Sequence, residues 1–412
     1  MTRPRTPHGA AGSLALLFLC AACTGSSVPP VTSPSSVLPS GPSAATPSVS
    51  PSPPPGSTGP TALVAALPVG CDPGTPDVSQ TIAFVAGGRA WTVRPEGTGL
   101  TCLFDVADPG PFVWGPQADR VLLAGLEIRG AGADVSRGPE PVEPTSSSWG
   151  RPTGKAVVFA DPEGGKLEKI LLDRAGIENI SPLRGAIDHP TYRTVAYHPS
   201  GLAIGFVAEH RDPAGTDSTL SEIYLSSNTG ADPELVVFSE MGTQFGPIAF
   251  GLGGNELYYV AHLANGTYML ADYILTANRA DEHLWEAEAP VLDFLPPAAF
   301  GEGASTDHGL LNVGTGCDDT QAVATDFHGG AGTPLFPEAS GPTTALGWVD
   351  PSRILVGVGG CEGPMDLWVL DPFAVGGVPH LLASGADAGA VRVAEPSPPP
   401  ELPSIGVNAG VG

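Results

Sequence analysis

Val195-Ala196-Tyr197-His198-Pro199-Ser200-Gly201, followed by Ala203-Ile204-Gly205-Phe206-Val207, reads as a short apolar strand, a polar turn built on Pro and Gly, and a second apolar strand. The runs are too short for helices, and turn residues bound them on both sides. One hairpin of this kind has two faces to bury and nothing to bury them against. Its meaning comes from recurrence. The pattern returns as Phe112-Val113-Trp114-Gly115-Pro116 with Val121-Leu122-Leu123, and as Ile248-Ala249-Phe250-Gly251 with Leu257-Tyr258-Tyr259-Val260. It returns again as Leu346-Gly347-Trp348-Val349-Asp350-Pro351 with Ile354-Leu355-Val356-Gly357. The anchors Trp114, Tyr197, Phe250 and Trp348 are 83, 53 and 98 residues apart, and a degenerate copy near Phe300, with Leu310, Leu311 and Val313 as its second strand, divides the last gap.

A third strand, a Gly-containing turn and a fourth strand follow each pair. They read Ala90-Trp91-Thr92-Val93 with Thr101-Cys102-Leu103-Phe104, Val157-Val158-Phe159 with Ile170-Leu171-Leu172, Ile223-Tyr224-Leu225 with Leu235-Val236-Val237-Phe238, and Leu367-Trp368-Val369-Leu370 with Leu381-Leu382. Four short strands per roughly 50 residues predict a β-propeller blade, a small sheet that must stack on its neighbours around an axis. The turn around Tyr197-His198-Pro199-Ser200-Gly201 resembles the Trp-Ser-Pro-Asp-Gly repeat of TolB-like (WD40-like) propellers, and Trp114-Gly115-Pro116 and Trp348-Val349-Asp350-Pro351 are looser versions. The resemblance covers about residues 80 to 395. It implies a fold more than a function, because such propellers serve many roles.

The chain enters the first blade at Ile82-Ala83-Phe84-Val85, which matches a second strand, and Ala390-Val391-Arg392-Val393-Ala394 is left over at the end. The all-β ring is therefore expected to close with the C-terminal strand as the inner strand of blade 1, which removes exposed sheet edges. This count gives six blades, with insertions at about 126–153 and 173–191 in blade 2, and seven if one insertion holds a degenerate sheet.

Cys71, Cys102, Cys317 and Cys361 are an even set in an exported chain, which predicts two disulfides. Cys317 and Cys361 occupy the turn between second and third strands of consecutive blades, so they are expected to pair, leaving Cys71 with Cys102. A zinc site is the competing reading, but no Cys-x-x-Cys or Cys/His pair at ligand spacing supports it.

The N-terminal region sets the expected location. Arg3 and Arg5 precede an apolar core, Leu14-Ala15-Leu16-Leu17-Phe18-Leu19, too short for a mature transmembrane helix. Residues 1–22 thus read as an export signal. Leu19-Cys20-Ala21-Ala22-Cys23 resembles the box before the acylated cysteine of bacterial lipoproteins, which implies a lipid on Cys23 and an anchor on the outer face of the membrane. Cys20 stands where those signals carry Leu, so cleavage without a lipid is the alternative. Residues 23–60 form an uncharged Ser/Pro-rich tether that reaches on the order of 100 Å if fully extended. The propeller is assigned to 61–400 and a C-terminal tail to 401–412.

Without Arg3 and Arg5 the chain carries 16 basic and 43 acidic side chains. Nucleic acid and anionic lipid surfaces are poor partners for such a charge. Local catalytic signatures are missing as well. The sequence has no Gly-x-Ser-x-Gly elbow and no His-Glu-x-x-His, and the acidic clusters Cys317-Asp318-Asp319 and Asp281-Glu282-His283 lack the regular spacing of a calcium loop. Ser305-Thr306-Asp307-His308-Gly309 echoes part of a sialidase Asp-box but continues with Leu310-Leu311. No catalytic residue, metal or cofactor is assigned. The expected function is a monomeric, non-enzymatic scaffold of the cell envelope that binds a protein, peptide or glycan. The alternative is a lactonase- or glycosidase-like enzyme with its site at the central channel.

Lipidation has a direct check. Cys23→Ser is expected to abolish labelling by a fatty-acid analogue and to release the protein from the membrane fraction. Unchanged membrane association of the variant contradicts the anchor.

Overall fold

The computed structural model describes residues 61–402 apart from internal stretches, of which the longest are 138–145, 298–307 and 393–398. The signal, Cys23 and the tether lie outside the described residues, as does most of the tail. Strands dominate the described residues, with one short 3-10 turn at Cys317–Asp319. No helix among them is long and apolar enough to cross a membrane.

The strands form antiparallel sheets, six of four strands and one of five. Blade 1 takes its inner strand from the C-terminus, Ala388–Val391, and its other three from Ile82–Ala86, Arg89–Val93 and Thr101–Asp105. Blade 4 shows the repeat at its most regular, with strands Thr191–Tyr197, Ala203–Arg211, Thr219–Ser227 and Glu234–Phe238. Blades 5, 6 and 7 have inner strands Gln244–Phe250, Val291–Leu295 and Thr343–Trp348. These inner strands touch one another in turn, from blade 4 through 7 to blade 1.

What the six-blade count treats as a single second blade resolves into two sheets. Val113–Trp114, Arg120–Leu123, Glu127–Gly130 and Ala133–Arg137 make one. Ser146–Trp149, Ala156–Ala160, Leu167–Leu171 and Ile177–Asn179 make the next, here blade 3. The ring thus takes the seven-sheet form, because the first insertion supplies two strands to the earlier sheet and the inner strand of the later one. A second adjustment falls in blade 6. Its inner strand is Val291–Leu295 and its buried anchor is Phe294, whereas Phe300 lies outside the described residues.

The ring closes as the leftover strand predicts, two residues earlier than its sequence suggests. Val391 pairs with Ile82, Ala390 with Ala83, Gly389 with Phe84 and Ala388 with Val85. Apolar side chains then fill the joints. Ile82, Phe84, Trp91 and Val93 of blade 1 pack with Leu355, Leu367 and Val369 of blade 7 in one cluster. Phe250, Leu257 and Tyr259 of blade 5 pack with Val207 and Ile223 of blade 4 in another. Trp114, Tyr197 and Phe250 are buried in such joints, as expected of core anchors, while Trp348 and Trp368 are half-buried; Trp149 is buried within blade 3.

Both disulfides join the expected partners. Cys71–Cys102 has a Cα–Cα distance of 5.4 Å and ties the lead-in segment to the outer strand of blade 1. Cys317–Cys361, at 5.5 Å, links the corresponding turns of blades 6 and 7.

Truncation after Asp387 removes the closing strand and the burial of Ala388, Ala390 and Val391. At roughly 1.5–3 kcal/mol for a large side chain, plus the lost ladder, it is expected to consume much of a net stability of about 5–15 kcal/mol. Truncation after Leu402 leaves the strand intact and is expected to melt with the full chain. Equal melting temperatures for the two contradict closure by this strand.

Candidate functional site: the central channel

The inner strand of each blade has a neighbour on one side only, so its other edge turns toward the axis. Backbone groups there need partners. Blade 3 supplies hydroxyls to blade 4, where the amides of Val195 and Tyr197 donate to Ser146 Oγ at 3.2 Å and Ser148 Oγ at 3.0 Å. Thr194 Oγ1 in turn donates to Gly246 O of blade 5 at 3.0 Å. Between blades 6 and 7 the buried Asn312 does both jobs, with Nδ2 donating to Ala345 O at 3.1 Å and Oδ1 accepting from Ala345 N at 2.8 Å. Trp348 Nε1 donates to Pro296 O at 3.0 Å. The insertion at 126–153 is therefore part of the framework: its serines hold the wall.

These strands enclose an open cavity of about 510 Å³. Every blade contributes to its lining, with Arg392, Val113, Ser147, Ala196, Ile248, Leu292 and Leu346 as one residue from each in ring order. The wall is mostly aliphatic and aromatic, with Pro116, Pro247, Pro296 and Pro297 among it. Among the described residues, three charged side chains line it, Asp293, Arg151 and Arg392.

Asp293 sits at a bulge in the inner strand of blade 6, where pairing shifts between Val291 and Asp293. The bulge turns its side chain to the channel. Its carboxylate accepts the Phe294 N–H at 2.8 Å, which favours the charged form. Water reaches it inside the channel, yet the surrounding protein screens it from bulk solvent, and this desolvation wins: the carboxyl is pushed up to about 6. Arg392, just past the closing strand, donates to Val78 O and lies 5.8 Å from the centre of the Trp114 ring. Burial lowers its pKa, opposed by the charge of Asp77.

The repeat anchors Tyr197, Phe250 and Trp348 line this channel, but none of the described candidate site residues read from the sequence does. The four described cysteines staple the rim and the seam. His198 is a turn residue, fully buried, with Nδ1 accepting from Ser200 N at 3.0 Å and Nε2 donating to Gly254 O of blade 5 at 2.6 Å. Burial lowers its pKa, against the opposing bond to Gly254, so the ring is neutral. Asp319 ties its own turn by accepting the amides of Thr315 and Gly316, both at 2.9 Å, and Asp281, Glu282 and His283 lie outside the described residues. Among the described residues no three metal-ligating side chains gather. His210 and Glu222 meet at 2.6 Å, with Tyr224 also donating to that carboxylate, but inside the sheet of blade 4 rather than at the channel. Asp293 and Arg151 carry no local motif. They become visible only once the inner strands are placed.

No family model and no curated protein matches the chain. Solved structures do resemble it. The TolB protein of Acinetobacter baumannii is 13% identical with a TM-score of 0.40, over 77% of this chain and 67% of that one. A prolyl oligopeptidase B from Galerina marginata is 9% identical with a TM-score of 0.48, over 73% of this chain and 48% of that one. A chain of a nidogen/laminin complex is 10% identical with a TM-score of 0.41, over 77% and 99%. At such identities the likeness is one of propeller architecture and bears on nothing else.

The enclosed carboxyl gives a test of the channel wall. Asp293 has a folded-state pKa above its unfolded value, so its contribution is favourable below about pH 4 and is lost as pH rises through about 6. Asp293→Asn is therefore expected to melt higher than the parent protein at pH 8, with the difference gone at pH 4. A variant that melts lower at pH 8 contradicts this placement of the side chain.

Proposed function

We propose that this protein is a binding scaffold of the cell envelope and that the central channel takes an extended segment of a peptide or protein partner. The observation that carries the reading is the character of the channel: about 510 Å³, open, walled by all seven blades, and mostly apolar with a few placed charges. Binding sites for organic ligands have this composition, an apolar wall with few polar groups that fix orientation. A glycan calls for many hydrogen-bonding side chains beside aromatic rings, whereas the lining hydroxyls of Ser146, Ser148 and Thr194 are engaged with the wall's own backbone, which leaves chiefly Ser147, Asp293, Arg151 and Arg392. Glycoside hydrolysis typically uses a pair of carboxyl groups, and the described lining holds Asp293. The two disulfides fit an extracytoplasmic setting. Lipidation at Cys23 would hold the scaffold at the membrane, with the acidic propeller standing off its surface.

The test is site-directed photocrosslinking in intact cells. Leu292 lines the channel and is solvent-accessible, whereas Val378 is exposed beside the outer strand of blade 7. A photoreactive residue at 292 is expected to yield a discrete protein adduct that is absent with the same residue at 378. Adducts from 378 alone, or identical adducts from both, contradict a channel site.

A further inference from the structure

The C-terminal chain leaves the ring at the channel itself. Arg392, which lines the channel, follows the closing strand of blade 1. Eight residues later Pro400 rests on Gly254, in the turn after the inner strand of blade 5: a Cβ at Gly254 would come within 3.0 Å of Pro400 Cγ. Leu252, in the same turn, lines the channel. In a ring of seven sheets blade 5 lies three places from blade 1 in one direction and four in the other, as far across as the ring allows. Residues 393–398 lie outside the described residues; the described residues on either side, Arg392 and Pro400, stand at the rim of the channel.

The chemistry of the docking end is distinctive. Residues 396–403 read Pro-Ser-Pro-Pro-Pro-Glu-Leu-Pro. Such a sequence is held extended by its own prolines, loses little entropy on docking, and fits surfaces lined by aromatic rings. The channel wall offers the half-buried Trp348 together with its prolines, while Tyr197, Phe250 and Phe294 stand behind it, packed in the joints between blades. Within the described tail, Pro400 and Leu402 are half-buried while Pro399 and Glu401 are exposed, the alternation of a strand lying along a surface.

We infer that the channel rim is a docking site for this chain's own C-terminal segment around Pro400, residues 399–402, seated through Pro400 on Gly254, and that the segment competes there with the partner peptide. The inference rests on the channel reading above and adds a regulator and a ligand class to it: the partner's segment is itself extended and rich in proline. Gly254 suits the role because a side chain there would fill the space of Pro400 and press on the His198 ring, 2.9 Å away.

The test uses a fluorescein-labelled Pro-Ser-Pro-Pro-Pro-Glu-Leu-Pro peptide and fluorescence polarisation. The full chain is compared with a truncation after Arg392, which keeps the closing strand. The truncated protein is expected to bind the peptide at least tenfold more tightly than the full chain. Pro400→Asp in the full chain is expected to reproduce the gain without touching the ring, and it carries the same readout should the truncation fold poorly. Equal binding by all three proteins, or binding by none, overturns the inference. The photocrosslink from residue 292 separates the two readings. A crosslink that forms equally with and without the tail leaves the channel site standing and removes its regulator, whereas loss of the crosslink in every protein removes both.

Discussion

Four short strands make a sheet with two apolar faces, and a ring of such sheets is stable only if the last face meets the first. Everything else in this molecule depends on that meeting. It is made by Ala388–Val391 laid against Ile82–Val85, a pairing between opposite ends of the folded chain in which Ile82, Ala83, Phe84 and Val85 are wholly buried. The lead-in segment reinforces the seam from outside. The amides of Leu63 and Val64 donate to Leu381 O and Leu382 O of blade 7 at 2.9 and 2.8 Å, and the Cys71–Cys102 bridge then fastens the same segment to blade 1. Loop closures of this length are worth roughly 3–4 kcal/mol each in an entropic account, comparable to losing one or two large buried side chains.

Closing a ring creates a second problem at its centre, where seven inner edges carry unpaired amides and carbonyls. The molecule meets it with small hydroxyl and amide side chains that pass from one blade to the next, notably Ser146, Ser148, Thr194 and Asn312. Once those groups are satisfied within the wall, the remaining lining is free to be apolar. Asp293 departs from it, a carboxyl at a bulge whose pKa desolvation raises.

Much of the architecture was legible because propeller strands alternate with turns that must contain Pro or Gly. Tyr197-His198-Pro199-Ser200-Gly201 announces the repeat, and Gly201, at φ +73, packs where a Cβ would strike Arg151 O of blade 3. The closing strand and both disulfides followed from what the repeat left over. Blade 3 was hidden for a physical reason. Its inner strand, Ser146-Ser147-Ser148-Trp149, is polar because its serines serve a neighbour's backbone, so no apolar run marks it. The signal was present in the next residues, since Trp149-Gly150-Arg151-Pro152-Thr153-Gly154 is a strand-end aromatic followed by a Pro/Gly turn. The channel residues were illegible for a different reason: Asp293, Arg151 and Arg392 lie far apart in sequence and converge only through ring closure.

Native-state hydrogen exchange read by mass spectrometry tests the closed ring most directly. The account predicts that amides of 388–391 exchange as slowly as those of Ile82–Ala86, through one shared opening, and that both are as protected as the middle strands of blade 4. Fast exchange of 388–391 with blade 4 still protected would contradict it, and with it the channel that closure creates.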